Sequence, residues 1–267
     1  MKRAVDLILG GVTLLVFLAL YAPIVLVLVL SFFRMRRGEV DWSSFSLQWY
    51  ERLFANGELG EALWSSLLVG GLAVAIAMIF ATAAALYVNA RPDGRGENLL
   101  EFVIFLPFLL PPIIIGLSLL IAFREAGVAR GLGTVIVGHA VFLLAIVYRI
   151  VLTRLNALNR NLVEAARDLG ASRWQTFAWV LLPNLRTPLA TAAVLAFALS
   201  FDETMITLFL TGADATLPVR LYAMMRVGFT PEINALVTLI LGFSILLTVA
   251  IAVFASRGNG RQRKSMR

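Results

Sequence analysis

The hydrophobic pattern of this sequence is dominated by long stretches almost free of charged side chains. An α-helix rises about 1.5 Å per residue, so roughly 20 apolar residues cross the hydrocarbon core of a bilayer. The pattern therefore predicts an all-α, polytopic membrane protein with six transmembrane helices in a single transmembrane domain, residues 1–267. The predicted spans are about 7–33, 62–90, 102–123, 131–149, 187–211 and 233–256.

The composition agrees with a membrane protein and excludes several other classes. Apolar residues make up 60% of the chain, against about 45–50% in soluble domains. The chain has no cysteine, which excludes a disulfide framework, thiolate zinc sites and cysteine nucleophiles. The single histidine, His139, excludes histidine-cluster metal sites, so we predict no metal centre. We expect His139 to be a hydrogen-bonded packing residue.

The net charge of +7 carries information about orientation. Fifteen of the 23 Lys and Arg residues lie at the two termini, in 91–98 and in 149–186, which six spans would place on one side. Basic residues favour the cytoplasmic side, so we predict cytoplasmic termini. The basic tail could suggest nucleic acid, but we interpret it as an anchor at anionic lipid and expect no nucleic-acid partner.

Local composition predicts features of individual spans. Pro107, Pro111 and Pro112 should kink the third span, because each removes a backbone donor. Small residues are dense in the second span and allow close contact between helices. Tyr148 and Arg149 end the fourth span, where anchoring at the membrane interface would explain both.

The most structured predicted loop is 153–186, between the fourth and fifth spans. Apolar residues recur there at three- and four-residue steps, which is typical of one amphipathic helix. Gly170 suits a helix C-terminus, and Ser172 with Gln175 forms the pattern of a capping box that starts a second short helix, which Pro183 should stop. A loop of this kind is shaped to dock onto a partner. The stripe consists of Leu155, Leu158, Leu162, Ala166 and Leu169.

The same loop resembles a known family. Glu164-Ala165-Ala166, three residues, Gly170, nine residues and Val180-Leu181-Leu182-Pro183 is similar to the EAA loop of binding-protein-dependent ABC importer permeases, with Val180 in place of the usual isoleucine. The resemblance implies the type I importer permease fold, in which this loop is a coupling helix that docks onto an ATP-binding subunit. The residues it assigns to that contact are Glu164, Ala165, Ala166, Asp168, Gly170, Ala171 and Ser172.

Further segments resemble the second permease of spermidine/putrescine-type systems. They include 201–204, 207–209, 211–212, 217–219 and 233–236, together with Gly228 and Pro231, whereas 106–116 resembles the proline segment in the third span of the wider permease family. This resemblance implies a non-enzymatic subunit in a bacterial plasma membrane that transports polyamines or a related organic cation. It implies three kinds of partner: two copies of an ATP-binding subunit, a second homologous permease and an extracytoplasmic solute-binding protein.

The sequence itself excludes nucleotide binding by a P-loop. That motif needs Gly-Lys-Ser/Thr after a glycine and four residues. The only lysines are Lys2 and Lys264, and neither fits. We therefore expect no cofactor on this chain, and expect ATP and Mg²⁺ on a separate subunit.

Two carboxylates interrupt the fifth predicted span, Asp202 and Glu203. Charge inside a membrane is costly and often marks a transport route, so we predict a cation-attracting pathway that includes these two residues, Phe201 and Thr207. The alternative is a structural role, through a hydrogen bond or through pairing with Arg220 or Arg226. Alternative functions are a permease for another small solute, a stand-alone channel or carrier, or an integral membrane enzyme, for which the clustered catalytic groups are missing from the sequence.

Overall fold

The computed structural model describes residues 2–36, 39–91, 96–159, 161–227, 231–243 and 245–246. The chain divides into two compact units, residues 1–60 with 221–267 and residues 61–220. Arg160, Gly228 and the basic tail lie outside the described residues. The single domain predicted for residues 1–267 stays a prediction.

Helices make up most of the described chain. The longest are α1 (Lys2–Leu30), α3 (Gly57–Asn89), α6 (Leu132–Asn156) and α9 (Leu182–Asp202). The shorter ones are α2 (Gln48–Ala55), α4 (Glu97–Leu109), α5 (Pro112–Glu125), α7 (Asn161–Asp168), α8 (Arg173–Thr176), α10 (Met205–Leu210), α11 (Leu217–Val227) and α12 (Pro231–Phe243). A π-helix, Phe177–Leu181, joins α8 to α9.

The all-α polytopic fold is confirmed, and most of the predicted spans are visible. Within the described residues, four helical segments are long and apolar enough to cross a membrane, or five when α4 and α5 count as one broken span. The sixth predicted span, 233–256, begins in α12, and its last ten residues lie outside the described part.

The third predicted span is broken rather than merely kinked. Helices α4 and α5 meet at an angle of 108°. Leu110 is extended and Pro111 has φ −54° and ψ 137°, because a residue before proline is disfavoured in the α conformation. Pro112 then starts α5 at a position where its missing N–H costs nothing.

The first unit carries a small structured region after α1. Strands β1 (Arg34–Arg36) and β2 (Glu39–Asp41) pair as an antiparallel hairpin in which Met35 faces Val40. The Ser31 hydroxyl lies 2.6 Å from the Tyr50 hydroxyl, and the Phe32 ring stacks on that of Phe45. These contacts hold Phe45 and Tyr50 against the residues that follow α1.

The second unit is built on close helix contacts. Ala73, Ala77, Ala81 and Ala85 of α3 are spaced by four residues and are completely buried, which confirms the predicted role of the small residues in this span. Gly70 has the same role, because a Cβ there would lie 2.9 Å from the ring of Phe197 in α9. Small side chains let the two helices approach closely.

Tyr148 corrects an expectation from the sequence. Its side chain is completely buried, and its hydroxyl donates a 2.9 Å hydrogen bond to a carboxylate oxygen of Glu101 in α4. The interface-anchor interpretation of Tyr148 is therefore wrong. The residue ties α4 to α6 instead, because a buried phenol needs a hydrogen-bond partner.

Candidate functional site

The first half of the predicted coupling loop forms the short helix α7. The Asn159 side chain accepts a 3.0 Å hydrogen bond from the amide of Asn161 at the start of this helix. Glu164 lies in the first turn and Arg167 in the last, an arrangement of charges that the helix dipole favours. No residue of α7 is buried, so the helix stands at the surface of its unit.

The predicted amphipathic stripe is divided between two helices, which corrects the expectation of one continuous helix. Leu155 lies at the end of α6 and is 3% exposed. Leu162 and Leu169 belong to the α7 region and are 46% and 89% exposed. The helical conformation is interrupted at Ala157–Asn159. There the Asn159 side chain accepts a hydrogen bond from the first amide of α7, so that a new helix starts instead of α6 continuing.

The glycine turn after α7 is as predicted. Gly170 has φ +81°, a backbone conformation that residues with a Cβ rarely adopt. The Gly170 amide donates to the Arg167 carbonyl at 2.8 Å, and the Ala171 amide donates to the Ala166 carbonyl at 3.0 Å. These two bonds form a Schellman motif.

The capping box at the start of α8 is also confirmed. The Gln175 amide donates to the Ser172 hydroxyl at 3.3 Å, and the Ser172 amide donates to the Gln175 side-chain oxygen at 2.7 Å. Together with the glycine turn, this box fixes the angle between α7 and α8. Glu164, Ala165, Ala166, Asp168, Gly170, Ala171 and Ser172 therefore lie together on one short helix and the turn that follows it.

Pro183 does not stop the second helix, contrary to the expectation from the sequence. Proline is tolerated in the first turn of an α-helix, and Pro183 occupies that place in α9. The backbone passes from α8 through the π-helix into α9 without leaving the helical region. The Asn184 side-chain amide donates a 2.7 Å hydrogen bond to the Val180 carbonyl, which adds a side-chain contact where the π-helix passes into α9.

A cavity of about 850 Å³ lies between this loop and the ends of α3 and α6. The two helix ends are joined by a 3.1 Å hydrogen bond from the side-chain amide of Asn89 to the side-chain oxygen of Asn156. The cavity walls combine aliphatic and aromatic side chains with three arginines and one glutamate. This cavity could not be predicted from the sequence, because its walls come from five separate segments.

The fifth predicted span is interrupted, which corrects the single helix expected over 187–211. Helix α9 ends at Asp202, Glu203 is extended with ψ 113°, and α10 starts at Met205. A carboxylate oxygen of Glu203 accepts a 2.9 Å hydrogen bond from the Ile206 amide. Glu203 is thus half-buried and caps the short helix that follows it, which matches the structural alternative considered for this residue.

A buried hydrogen-bond chain holds this break against α6. The Thr207 hydroxyl donates to the Glu203 carbonyl at 3.1 Å and lies 2.8 Å from Nε2 of His139. Because the hydroxyl has one proton, Nε2 of His139 must be the donor in that contact. The other ring nitrogen, Nδ1, therefore accepts from the Ser200 hydroxyl, 2.7 Å away. These three side chains are at most 4% exposed.

The four predicted pathway residues occupy different environments. The Asp202 side chain is exposed at the break, whereas Thr207 is completely buried. Phe201 is half-buried, and its ring lies 6.0 Å from that of Phe197. Of the two carboxylates, Asp202 is the more exposed within this chain, and the Thr207 hydroxyl contacts the Glu203 carbonyl at the break.

Helix α10 is seated against α5 and α6 through glycines. A Cβ at Gly116 would lie 3.1 Å from Cα of Ile206, and one at Gly138 would lie 2.5 Å from a methyl carbon of Leu210. The Thr134 hydroxyl lies 2.9 Å from the Leu210 carbonyl and can donate to it. The break at 203–204 is therefore built into the core of this unit rather than into a loose loop.

Comparison with known proteins identifies relatives along nearly the whole chain. Residues 78–261 match the family model described as binding-protein-dependent transport system inner membrane component. The chain is 33% identical over 257 residues to the spermidine/putrescine transport system permease protein PotC of Shigella flexneri, covering 94% of this chain and 96% of that protein. It is 36% identical over 238 residues to the putrescine transport system permease protein PotI of Escherichia coli strain K12, covering 86% and 84%.

Solved structures share the fold at lower sequence identity. One is a bacterial alginate ABC transporter in complex with an alginate pentasaccharide-bound periplasmic protein, with a TM-score of 0.72, 16% identity, and coverage of 97% of this chain and 96% of that one. Another is the MetNI methionine ABC transporter in inward-facing conformations, with a TM-score of 0.66, 18% identity, and coverage of 74% and 95%.

Proposed function

We propose that this chain, which belongs to the family of binding-protein-dependent transport system inner membrane components, imports polyamines as one permease subunit of an ATP-driven transporter. The observation that carries the substrate class is the similarity to PotC, at 33% identity over 94% of the chain. A relationship of that length covers the spans, the loop 153–186 and the break at 203–204 together. As a member of this family, the chain is a multi-pass inner membrane protein.

The loop 153–186 acts as the coupling element in this proposal. Three observations support the assignment: α7 has no buried residue, Leu169 is 89% exposed, and both ends of the glycine turn are fixed by hydrogen bonds. A rigid, exposed, partly apolar surface is what a docking partner requires. The partner proposed here is a cytoplasmic ATP-binding subunit, present in two copies, which holds the ATP and Mg²⁺.

The break in the fifth span is the proposed contact with the solute. A polyamine carries several ammonium groups, and the exposed carboxylate of Asp202 can accept hydrogen bonds from one of them. The buried chain from His139 to Glu203 keeps the backbone of the break fixed. Broken helices near the membrane centre are a common way to build a transport site.

The remaining partners complete an alternating-access cycle. A solute-binding protein delivers the polyamine on the outer side, and a second homologous permease forms the other half of the pathway. Both termini and the loop 153–186 face the cytoplasm, as the distribution of basic residues favours. Nucleotide binding by the partner ATPases moves α7 and α8, and the continuous helical path into α9 carries that movement to the break.

The proposal is tested by uptake of labelled putrescine and spermidine into vesicles that contain this chain with its companion subunits. We expect uptake that needs both ATP inside the vesicle and the solute-binding protein outside. A matched assay with an uncharged solute, such as a disaccharide, controls for leakage. Uptake of the disaccharide but not of either polyamine would contradict the substrate class while leaving the permease family intact.

A further inference from the structure

The cavity beside the coupling loop has the shape and chemistry of a site for a small amphiphile. Its volume of about 850 Å³ lies within the range of roughly 300–1,000 Å³ that is typical of small-molecule sites. Its apolar wall includes Leu86, Leu155 and Phe177, while Trp174, which is 72% exposed, stands at its edge. A single inorganic anion would leave most of this space unfilled.

The charged groups of the cavity favour an anion. Three guanidinium groups, those of Arg91, Arg167 and Arg173, line it against the one carboxylate of Glu164, which gives a net charge of +2. Guanidinium groups bind phosphate oxygens through paired hydrogen bonds. They come from three separate elements, so the fold gathers them around one space.

Arg91 is held ready for such a contact. Its guanidinium donates a 2.8 Å hydrogen bond to the Tyr87 hydroxyl and lies 4.7 Å from the centre of the same ring. An arginine fixed by a neighbour loses less conformational entropy when it binds a ligand. The site is therefore partly organised before any ligand enters.

We propose that this cavity binds the phosphate headgroup of an anionic phospholipid from the cytoplasmic leaflet. Basic pockets between membrane helices on the cytoplasmic side are a recurrent way to hold such headgroups. The ends of α3 and α6 bring the cavity to the edge of the bilayer, and its apolar wall accommodates the first part of the lipid chains. The lipid then bridges the spans and the coupling loop. The inference rests on the proposed orientation, but it does not depend on the solute that is transported.

The test is lipid retention by the full chain, purified with its companion subunits and equilibrated with equal amounts of phosphatidylglycerol and phosphatidylcholine. Native mass spectrometry counts the bound lipid. We expect retention of phosphatidylglycerol over phosphatidylcholine. A variant with Arg91→Gln, Arg167→Gln and Arg173→Gln should bind phosphatidylglycerol more weakly by about fivefold for each guanidinium removed.

A matched variant separates this site from general attraction between charges. Arg34→Gln, Arg124→Gln and Arg226→Gln remove the same total charge at positions outside the cavity, so we expect retention to stay as in the unsubstituted protein. Equal loss in the two triple variants, or no loss in either, would overturn the proposal.

Two further measurements decide the matter if the triple variant does not assemble. Ala90→Trp fills part of the cavity without changing its charge and should also reduce retention of phosphatidylglycerol; unchanged retention would place the lipid elsewhere. Millimolar inorganic phosphate should not displace the lipid. Displacement by phosphate alone would show a site for the free ion and overturn the assignment to lipid.

Discussion

The hydrogen-bond chain behind the break makes a quantitative prediction for Thr207→Val. Valine is close to threonine in shape, so the change mainly removes the hydroxyl. Two contacts disappear: the one from Nε2 of His139 at 2.8 Å and the one to the Glu203 carbonyl at 3.1 Å. Nε2 of His139 and the carbonyl oxygen of Glu203 then lose this partner in a place that water does not reach, because Thr207 is completely buried.

The expected cost follows from these two contacts. Hydrogen bonds between membrane helices contribute about 0.6 kcal/mol on average and up to about 1.7 kcal/mol. Only the contact with His139 joins two helices, but both lost contacts leave a buried polar atom without this partner, which costs about 1–3 kcal/mol and predicts a decrease of that size in the free energy of unfolding. Reversible unfolding of the purified chain by titration with a denaturing detergent in mixed micelles measures this value.

Thr191→Val provides the matched control for this experiment. Thr191 lies in α9, is exposed, and makes a hydrogen bond to the carbonyl of Thr187 within its own helix, at 3.1 Å. We expect a change below about 0.5 kcal/mol, as for most surface substitutions. Ser200→Ala combined with Thr207→Val should cost less than the sum of the two single changes, since both residues act through His139. Equal losses of unfolding free energy in Thr207→Val and Thr191→Val would refute the stabilising role of the buried hydrogen-bond chain.

Three other predictions concern the break, its packing and the coupling loop. Asp202→Asn should raise the KM for putrescine uptake severalfold because it removes a charge open to the cation, whereas Asp214→Asn at another exposed position should leave KM unchanged; equal KM values would make Asp202 structural. Gly116→Val should destabilise the chain by about 1–3 kcal/mol in detergent unfolding, because its Cβ would lie 3.1 Å from the backbone of α10. Gly71→Ala should not, since a Cβ there has nothing within 4 Å, and equal stability of the two variants would contradict the close approach. Ser172→Ala should weaken the start of α8 by about 1 kcal/mol, seen as faster amide hydrogen exchange at Gln175, and Ser43→Ala should have no effect there; unchanged exchange at Gln175 would contradict the cap.

Features encoded by neighbouring residues could be predicted from the sequence. The Gly170 turn and the capping box of Ser172 and Gln175 depend on residues a few positions apart, and both form as predicted. The buried alanines of α3 follow from a four-residue period that places them on one face. The length of the apolar stretches likewise predicted most of the spans.

Features that depend on contacts between distant segments could not be predicted. The sequence favours an interface anchor at Tyr148, because it does not show that Glu101 lies beside this residue. The sequence predicts Glu203 and Thr207 within one continuous span, but the helix ends at Asp202 and the Glu203 side chain caps α10. The apolar stripe predicts one helix, because its period continues past Asn159. The sequence does not show that the Asn159 side chain caps α7 and so separates it from α6.

Pro183 illustrates a related ambiguity. A proline after a short helix usually indicates its end, but the same residue is equally suited to the first turn of the next helix. The second possibility holds, because the π-helix joins α8 directly to α9 and Pro183 lies in the first turn of α9. No periodicity in the sequence signals a π-helix of five residues.

In the proposed cycle, α7 and the glycine turn transmit the conformational change driven by ATP hydrolysis to the membrane helices. The most direct test compares ATP hydrolysis and putrescine uptake by the reconstituted importer carrying Glu164→Arg, with Glu39→Arg on the β-hairpin as control. We expect Glu164→Arg to lower the number of putrescine molecules imported per ATP hydrolysed by about tenfold or more, while the control keeps the unsubstituted ratio. An unchanged ratio for Glu164→Arg in a fully assembled complex would show that α7 does not couple ATP hydrolysis to transport.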